Sequence, residues 1–237
     1  EKFLEGMLVP TCGNLYKNIK KGRIPEPIFP DFDKPEGPMI EIGCNWGRWV
    51  LAAARKGIQV VGVDIHLDSL RIAQHLAKRL QLNPMPIFIL ADARALPFKD
   101  GALASAFSYS VIQHFSKEHA CDILAEIGRI LKPGGASFIQ MPNRNAIRSQ
   151  VVLKRRGGNE GENFDVRYYA IDELVNLFES TIGLTKFSVD CFFGLTVRPE
   201  YRDIVDLKSG AIISLSEAVR KISQHLARLQ NYADSVF

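Results

Sequence analysis

The sequence predicts an α/β protein built on a mostly parallel sheet, and three observations carry the prediction. From Met39 onward, short apolar runs alternate with amphipathic stretches, the pattern of repeated strand–helix units. The first run opens into a turn with glycines at 43 and 47 before its helix begins, so the backbone there is free to approach a ligand closely. The chain has 237 residues, of which 46% are hydrophobic and 24% charged, enough for one sizeable core in a globular protein.

Residues 1–37 carry Pro10, Pro25, Pro27, Pro30, Pro35 and Gly37, which permits a short helix around 15–21 but no long element. This segment is expected to pack on the core as a leader. The first strand is expected over 39–43, followed by a helix over 48–56 in which Val50, Leu51 and Ala54 share a face and Gly57 ends the run. A second strand over 58–63 ends at Asp64, and Leu70, Ala73, Ala77 and Leu80 then recur at helical spacing. The third strand, 87–91, ends at Asp92, and the fourth, 102–108, follows the Asp100-Gly101 turn. Ser116 is placed to cap a helix striped by Ala120, Ile123, Leu124, Ile127 and Leu131, which Pro133-Gly134-Gly135 stops before a fifth strand at 136–141.

The 29 residues from 142 to 170 are too long and polar for an ordinary connection and read as a lid. Ile171, Leu174, Val175 and Phe178 mark a helix ending near Gly183, with a strand expected over 184–193. Ser214 and Glu217 form a capping-box pattern ahead of Leu215, Val219, Ile222, Leu226 and Leu229, so a late helix is expected there.

Composition narrows the function. A net charge of +4 is short of the concentrated positive charge that nucleic-acid backbones require. No apolar run has the length of a membrane span, and no basic-then-apolar stretch opens the chain, so a cytoplasmic location is expected. Cys12, Cys44, Cys121 and Cys191 lie far apart without a Cys-x-x-Cys pair, which fits reduced thiols. No His, Asp or Glu cluster has metal-ligand spacing, and no metal ligand is assigned.

The informative stretch is Glu41-Ile42-Gly43-Cys44-Asn45-Trp46-Gly47, where the first strand turns into its helix. Asn45 is the non-glycine residue type best suited to a left-handed conformation. A dinucleotide fingerprint would need a glycine where Asn45 stands, and Glu41 would repel a pyrophosphate. The same acid suits a ligand carrying an ammonium group. Asp64 follows Glu41 by 23 residues, close to the spacing of an acid that grips ribose hydroxyls. Singly, each landmark has a plainer reading: Glu41 as a solvated strand end, Asp64 and Asp92 as caps or turn formers, Pro133-Gly134-Gly135 as a helix terminator.

Together, acid-x-Gly-x-x-x-Gly at the first strand and acids ending the second and third resemble the class I S-adenosylmethionine-dependent methyltransferases. Ala91-Asp92-Ala93 through Leu96-Pro97-Phe98, then 107–115, then Leu131-Lys132-Pro133-Gly134-Gly135 are similar to their small-molecule branch, methyltransferase type 11. Asn45 departs from the family's usual middle glycine. The resemblance covers roughly 38–141 and implies a Rossmann-like doubly wound sheet of about seven strands, the last antiparallel, with a small cap. It implies that S-adenosyl-L-methionine is bound by Glu41, Gly43, Cys44, Asn45 and Gly47 around its methionine portion. Asp64 with Ile65 is assigned to the ribose side, Asp92 with Ala93 to the adenine edge, and Ser108 to the same site. On this plan 38–141 is the cofactor-binding core, 142–170 the lid, and 171–237 the rest of the sheet with a helical cap insertion at 194–231. Residues 233–237 are expected to begin the seventh strand, with the native chain continuing past Phe237.

Methyl transfer to a hydroxyl needs a base, and His114, six residues past the fourth strand, is the candidate because the family's acceptor pocket opens there. The alternative is a histidine that caps the next helix or packs beside Phe115. His66 lines the adenosine pocket or faces solvent, and His75, His119 and His225 read as surface residues. In the lid, Arg144, Arg148, Lys154, Arg155, Arg156 and Arg167 suit an acidic or glycosidic acceptor, such as a sugar nucleotide or phospholipid-linked glycan; the alternative is a solvated loop. The leading expectation is O-methylation of a small-molecule or sugar hydroxyl. C-methylation of a quinone-like ring and a non-catalytic cofactor-binding subunit are the alternatives. Ser108-Tyr109-Ser110-Val111 lacks the Asn/Asp-Pro-Pro-aromatic motif of adenine amino-methylating enzymes, which disfavours a nucleic-acid acceptor.

Overall fold

A strand covered on both faces needs apolar side chains along its whole length, and Met39, Ile40 and Ile42 supply them. The computed structural model describes residues 23–27, 36–187, 201–206 and 212–214. In chain order its elements are β1 (Arg23–Pro27), β2 (Met39–Ile42), α1 (Arg48–Arg55), β3 (Val60–Asp64), α2 (Leu67–Arg79), β4 (Ile87–Leu90) and β5 (Leu103–Tyr109). A 3-10 turn (Ile112–His114) follows, then α3 (Lys117–Ile130), β6 (Leu131–Gln140), α4 (Ile147–Arg155), α5 (Ile171–Thr181), β7 (Tyr201–Asp206) and β8 (Ile212–Ser214). Five strands form a parallel sheet in the order β4-β3-β2-β5-β6.

Side-chain alternation along the strands divides the core in two. On one face Met39, Val60 and Phe107 pack with Trp49, Val50 and Leu51 of α1 and Leu76 and Ala77 of α2. Phe107 lies between Trp49 (5.0 Å) and Phe138 (5.5 Å), so aromatic rings bridge α1, β5 and β6. On the other face Ile40, Ile42, Val63 and Ala106 meet Ile123, Leu124 and Ile127 of α3, with Leu174 and Phe178 of α5 against them. Helices on both faces of a parallel sheet make the fold doubly wound, as expected.

Several boundaries move for identifiable reasons. Ser116 caps α3, its hydroxyl accepting from the His119 amide at 3.2 Å. The helix nevertheless ends at Ile130 rather than at Pro133-Gly134-Gly135, because Leu131 is already extended and pairs with Leu103. β6 therefore starts five residues earlier than expected, and residues 132–135 bulge out before pairing resumes at Ser105 and Ala136.

The leader contributes β1, which pairs antiparallel with β7, and the three-stranded order β1-β7-β8 puts β1 at an edge. An edge is where Pro25 and Pro27 are tolerated, since a proline cannot donate to a second neighbour. Within 194–231, where a helical insertion was expected, the described residues form the strands β7 and β8, the second ending at Ser214. The helix expected beyond Ser214 and the seventh strand at 233–237 lie outside the described residues. Of the expected sixth strand, 184–187 carries no strand pairing, Leu184 is 93% exposed, and the remainder lies outside the described residues.

The 142–170 segment has more structure than a lid read from composition. It holds α4, and its ends are pinched together where Asn143 pairs with Tyr169 and the Arg144 amide donates to the Tyr169 carbonyl at 2.7 Å. Tyr169 is fully buried, which anchors the C-terminal end of the excursion in the core beneath it.

Gly128 sets how closely α3 approaches α5, since a Cβ there would collide with the Thr181 carbonyl oxygen. Helix propensity favours Gly128→Ala by about 1 kcal/mol, but forcing a methyl against fixed backbone costs about 1–3 kcal/mol. We expect Gly128→Ala to lower the thermal midpoint by a few degrees, measured by calorimetry; a raised midpoint would show that the helices can separate without cost.

Candidate functional site

The order β4-β3-β2-β5-β6 reverses direction between β2 and β5, and chain leaving these two strands in opposite senses opens a crevice at their carboxyl ends. Register aligns those ends: Ile42 pairs with Val63 and with Ser108, and Asp64 with Leu90. The residues after each strand therefore meet along one edge.

The turn after β2 is held by its own backbone. The Gly43 and Cys44 amides both donate to the Val63 carbonyl, at 2.8 and 3.0 Å, and the Gly47 amide donates to the Cys44 carbonyl at 2.8 Å. Gly43 (φ 70°), Asn45 (φ 48°) and Gly47 (φ 83°) are all left-handed, the conformation anticipated for Asn45. A Cβ on Gly43 would run into the Val111 side chain, so the glycine also lets the turn after β5 approach the turn after β2.

Glu41 is 3% exposed, and its Oε2 has no hydrogen-bond partner among the described residues. Burial pushes its carboxyl up to about 8; Arg48 and the Val50 amide oppose the shift, and Asp64 adds to it. The Cys44 thiol is also raised, by burial first and then by Glu41 and Asp64, which makes it a packing group rather than a nucleophile.

Asp64 knits the site together. Its Oδ2 accepts from the Asn45 amide at 2.7 Å and its Oδ1 from the His66 amide at 2.9 Å, while its backbone carbonyl accepts from Ala91 at 3.1 Å. The last bond places Asp92 and Ala93 beside it. Two amides leave each Asp64 oxygen with further accepting capacity. Ile65, next in sequence, is 70% exposed at the rim. Asp92 is gripped by Arg94, whose Nη2 stands 2.6 Å from Oδ2, and these hydrogen bonds hold its carboxyl below the usual range. Ala93 is buried. Ser108 is turned into the sheet, where its hydroxyl donates to the Ile42 carbonyl at 3.3 Å, tying β5 to β2.

His114 ends the 3-10 turn after β5. Its Nδ1 lies 2.8 Å from the Phe164 carbonyl, and its ring is parallel to the Phe164 ring at 4.1 Å. A carbonyl can only accept, so Nδ1 carries the proton and Nε2 the lone pair. Burial is the main cause that lowers the His114 pKa, and the Phe164 carbonyl opposes it.

Sequence reasoning missed Phe164, which is 79% exposed, and it missed the structural use of two arginines. Arg156 binds Asp165 at 2.9 Å and the Val166 carbonyl, and Arg167 donates, among the described residues, only to main-chain carbonyls. Arg156 is thus engaged within the loop, and Arg167 both within the loop and at the His114 carbonyl. A single aromatic in the polar run Asn163-Phe164-Asp165 was the available signal for Phe164. Among the described residues no three His, Cys, Asp or Glu side chains gather as a metal site, and no helix is long and apolar enough to cross a membrane.

Residues 39–135 match a family described as "Methyltransferase domain". The chain is 30% identical over 129 residues to norajmaline N-methyltransferase of Rauvolfia serpentina, covering 54% of this chain and 44% of that protein. It is 28% identical over 143 residues to ubiquinone biosynthesis O-methyltransferase of Hahella chejuensis, covering 55% and 57%. The chain thus spans about half the length of these curated relatives, which include N-, C- and O-methyltransferases. The solved structure of an S-adenosylmethionine-dependent methyltransferase from Methanosarcina mazei superposes with a TM-score of 0.57 at 21% identity, covering 74% of this chain and 87% of that one, which is a likeness of fold.

The Glu41 carboxyl gives a test independent of any ligand. Its folded value, about 8, lies above the ordinary 4.5, so the stability it contributes is fully present below pH 4.5 and is lost as pH rises through 8. Glu41→Gln, which cannot ionise, should match the wild type in acid and exceed it in thermal midpoint by a margin that widens up to about pH 8; parallel curves would show that the carboxyl ionises without cost.

Proposed function

We propose that this chain, which belongs to the class I S-adenosylmethionine-dependent methyltransferases, methylates the hydroxyl of a small-molecule acceptor with His114 as general base. The observation that carries the reading is the His114 geometry. Its Nδ1 is occupied by the Phe164 carbonyl and its pKa is lowered, so a neutral imidazole offers the Nε2 lone pair at the end of β5 near neutral pH.

The residues around the turn fit S-adenosylmethionine. The Glu41 Oε2, buried without a partner among the described residues, suits the ammonium of its methionine portion. Asp64 retains accepting capacity for ribose hydroxyls, and Ile65 offers an apolar surface beside it. Asp92, held by Arg94, and buried Ala93 stand where the adenine edge is expected. When bound, the cofactor supplies a methyl group already activated by a positive sulfur.

The protein then has two tasks. Holding acceptor and methyl in line is worth up to roughly 7–11 kcal/mol where alignment is good. Taking the hydroxyl proton onto Nε2, as the oxygen–methyl bond forms and the sulfur–methyl bond breaks, adds about 10² to 10⁴ in rate. The imidazolium returns its proton to solvent. C-methylation of an activated ring would use the same base, and the kinship with N-, C- and O-methyltransferases leaves the choice of atom to the acceptor.

The experiment is incubation with methyl-labelled cofactor and pools of hydroxylated small molecules, followed by mass spectrometry of labelled products. Labelled ethers support the reading; label on carbon or nitrogen, or cofactor binding without turnover, counts against it. Asp64→Ala should weaken cofactor binding by about 1.5–3 kcal/mol, read by titration calorimetry on folded protein; an unchanged Kd would remove Asp64 from the site. With an acceptor in hand, His114→Ala should lower kcat about 10²-fold and leave cofactor affinity in place; turnover within a few-fold of wild type would make His114 a packing residue.

A further inference from the structure

Arg167 is 8% exposed, and its guanidinium turns into the backbone of its own loop and of the turn after β5. Nη1 donates to the carbonyls of Asn163 and Asp165, both at 2.7 Å, and to that of His114 at 3.0 Å. With two hydrogens serving three acceptors, one bond is shared. The Arg167 amide donates to the Gln113 carbonyl at 2.8 Å, so the residue is bonded to this turn through both main chain and side chain. The carbonyls of 163 and 165 flank Phe164, whose own carbonyl and ring both contact the His114 imidazole.

We propose that Arg167 is a positioning residue for His114: by gathering the carbonyls of 163, 165 and 114 it seats Phe164 so that its carbonyl occupies Nδ1 and its ring fixes the imidazole plane, leaving Nε2 as the acceptor-facing nitrogen. The proposal rests on the reading of His114 as the base. Arg167 acts on the imidazole through the carbonyls it gathers, and its charge also lowers the His114 pKa. A guanidinium suits this task because its rigid, always-charged donors hold several carbonyls at fixed angles, which a flexible ammonium does not. The base is therefore completed by residues 163–167, fifty residues downstream in the chain, and takes its working form when that loop is docked.

The test reads the tautomer directly. In the full chain labelled with 15N-histidine, the His114 ring signals, assigned by their loss in His114→Gln, should show Nδ1 protonated and Nε2 bare near neutral pH. Arg167→Ala should lose this single-tautomer pattern while binding S-adenosylmethionine with wild-type affinity, which also certifies the fold. Arg167→Lys, retaining charge but not the fork, should fall between the two. Nε2 protonated in the wild type would overturn the proposal without any variant, and so would an unchanged tautomer in Arg167→Ala. None of these signals depends on turnover, so a wrong base assignment, seen in the kcat of His114→Ala, is distinguishable from a wrong account of the clamp.

Discussion

Everything at the candidate site depends on the parallel pairing of β2 with β3 on one side and β5 on the other. That pairing sets Ile42, Val63 and Ser108 in one row, so the turns that follow emerge at a common edge. Because the strand order reverses there, the chain leaves β2 and β5 in opposite senses and the edge stays open. The Gly43 and Cys44 amides on the Val63 carbonyl, and the Ser108 hydroxyl on the Ile42 carbonyl, then fasten the three strand ends to one another. A slip of one residue would misalign β2 with its neighbour and break the Gly43 and Cys44 bonds if it fell against β3, or the Ser108 bond if it fell against β5.

Against that rigid frame Glu41 is a local liability. A buried carboxyl whose Oε2 has no partner among the described residues is costly in its ionised form, and burial beside Trp49 and Phe107 outweighs the opposing pull of Arg48 and the Val50 amide. Proteins tolerate such groups where binding compensates for them, since a site shaped for a charged ligand is destabilised until the ligand arrives. The ammonium of S-adenosylmethionine, the ligand proposed for this site, is a group of the right charge for that position.

The two sides of the site are built differently. The cofactor side consists of tight turns locked by main-chain bonds directly to the sheet. The side that carries His114, the base in the proposed reading, is assembled from a distant loop held by charged groups: Lys117 of α3 reaches Glu160 at 2.9 Å and Glu173 of α5 at 2.6 Å, Arg156 reaches Asp165, and Arg167 collects carbonyls. Exposed ion pairs of this kind contribute little singly. Here they act as a set that holds a polar segment in one conformation against the turn that ends in His114.

The sequence by itself determined the parts governed by local periodicity and turn chemistry. Apolar runs of strand length located β2 to β5 within two residues, Ser116 announced α3, and Asn45 between two glycines announced a left-handed turn, because these signals act over a few neighbouring residues. Glu41, Asp64 and Asp92 were legible as strand-end acids for the same reason. The tertiary structure alone decided what depends on partners far away in the chain. Composition allowed 1–37 no long element and gave no sign of the five-residue strand that holds Pro25 and Pro27, which pairing with β7 at an edge accommodates. Polarity made 142–170 read as a lid whose arginines were either ligand forks or a solvated face. The burial of Tyr169 and the bonds of Arg167, one of them to the His114 carbonyl, came only from the tertiary structure. A long-range hydrogen bond leaves no periodic mark on the sequence, so which nitrogen His114 offers could be read only once Phe164 was seen against it.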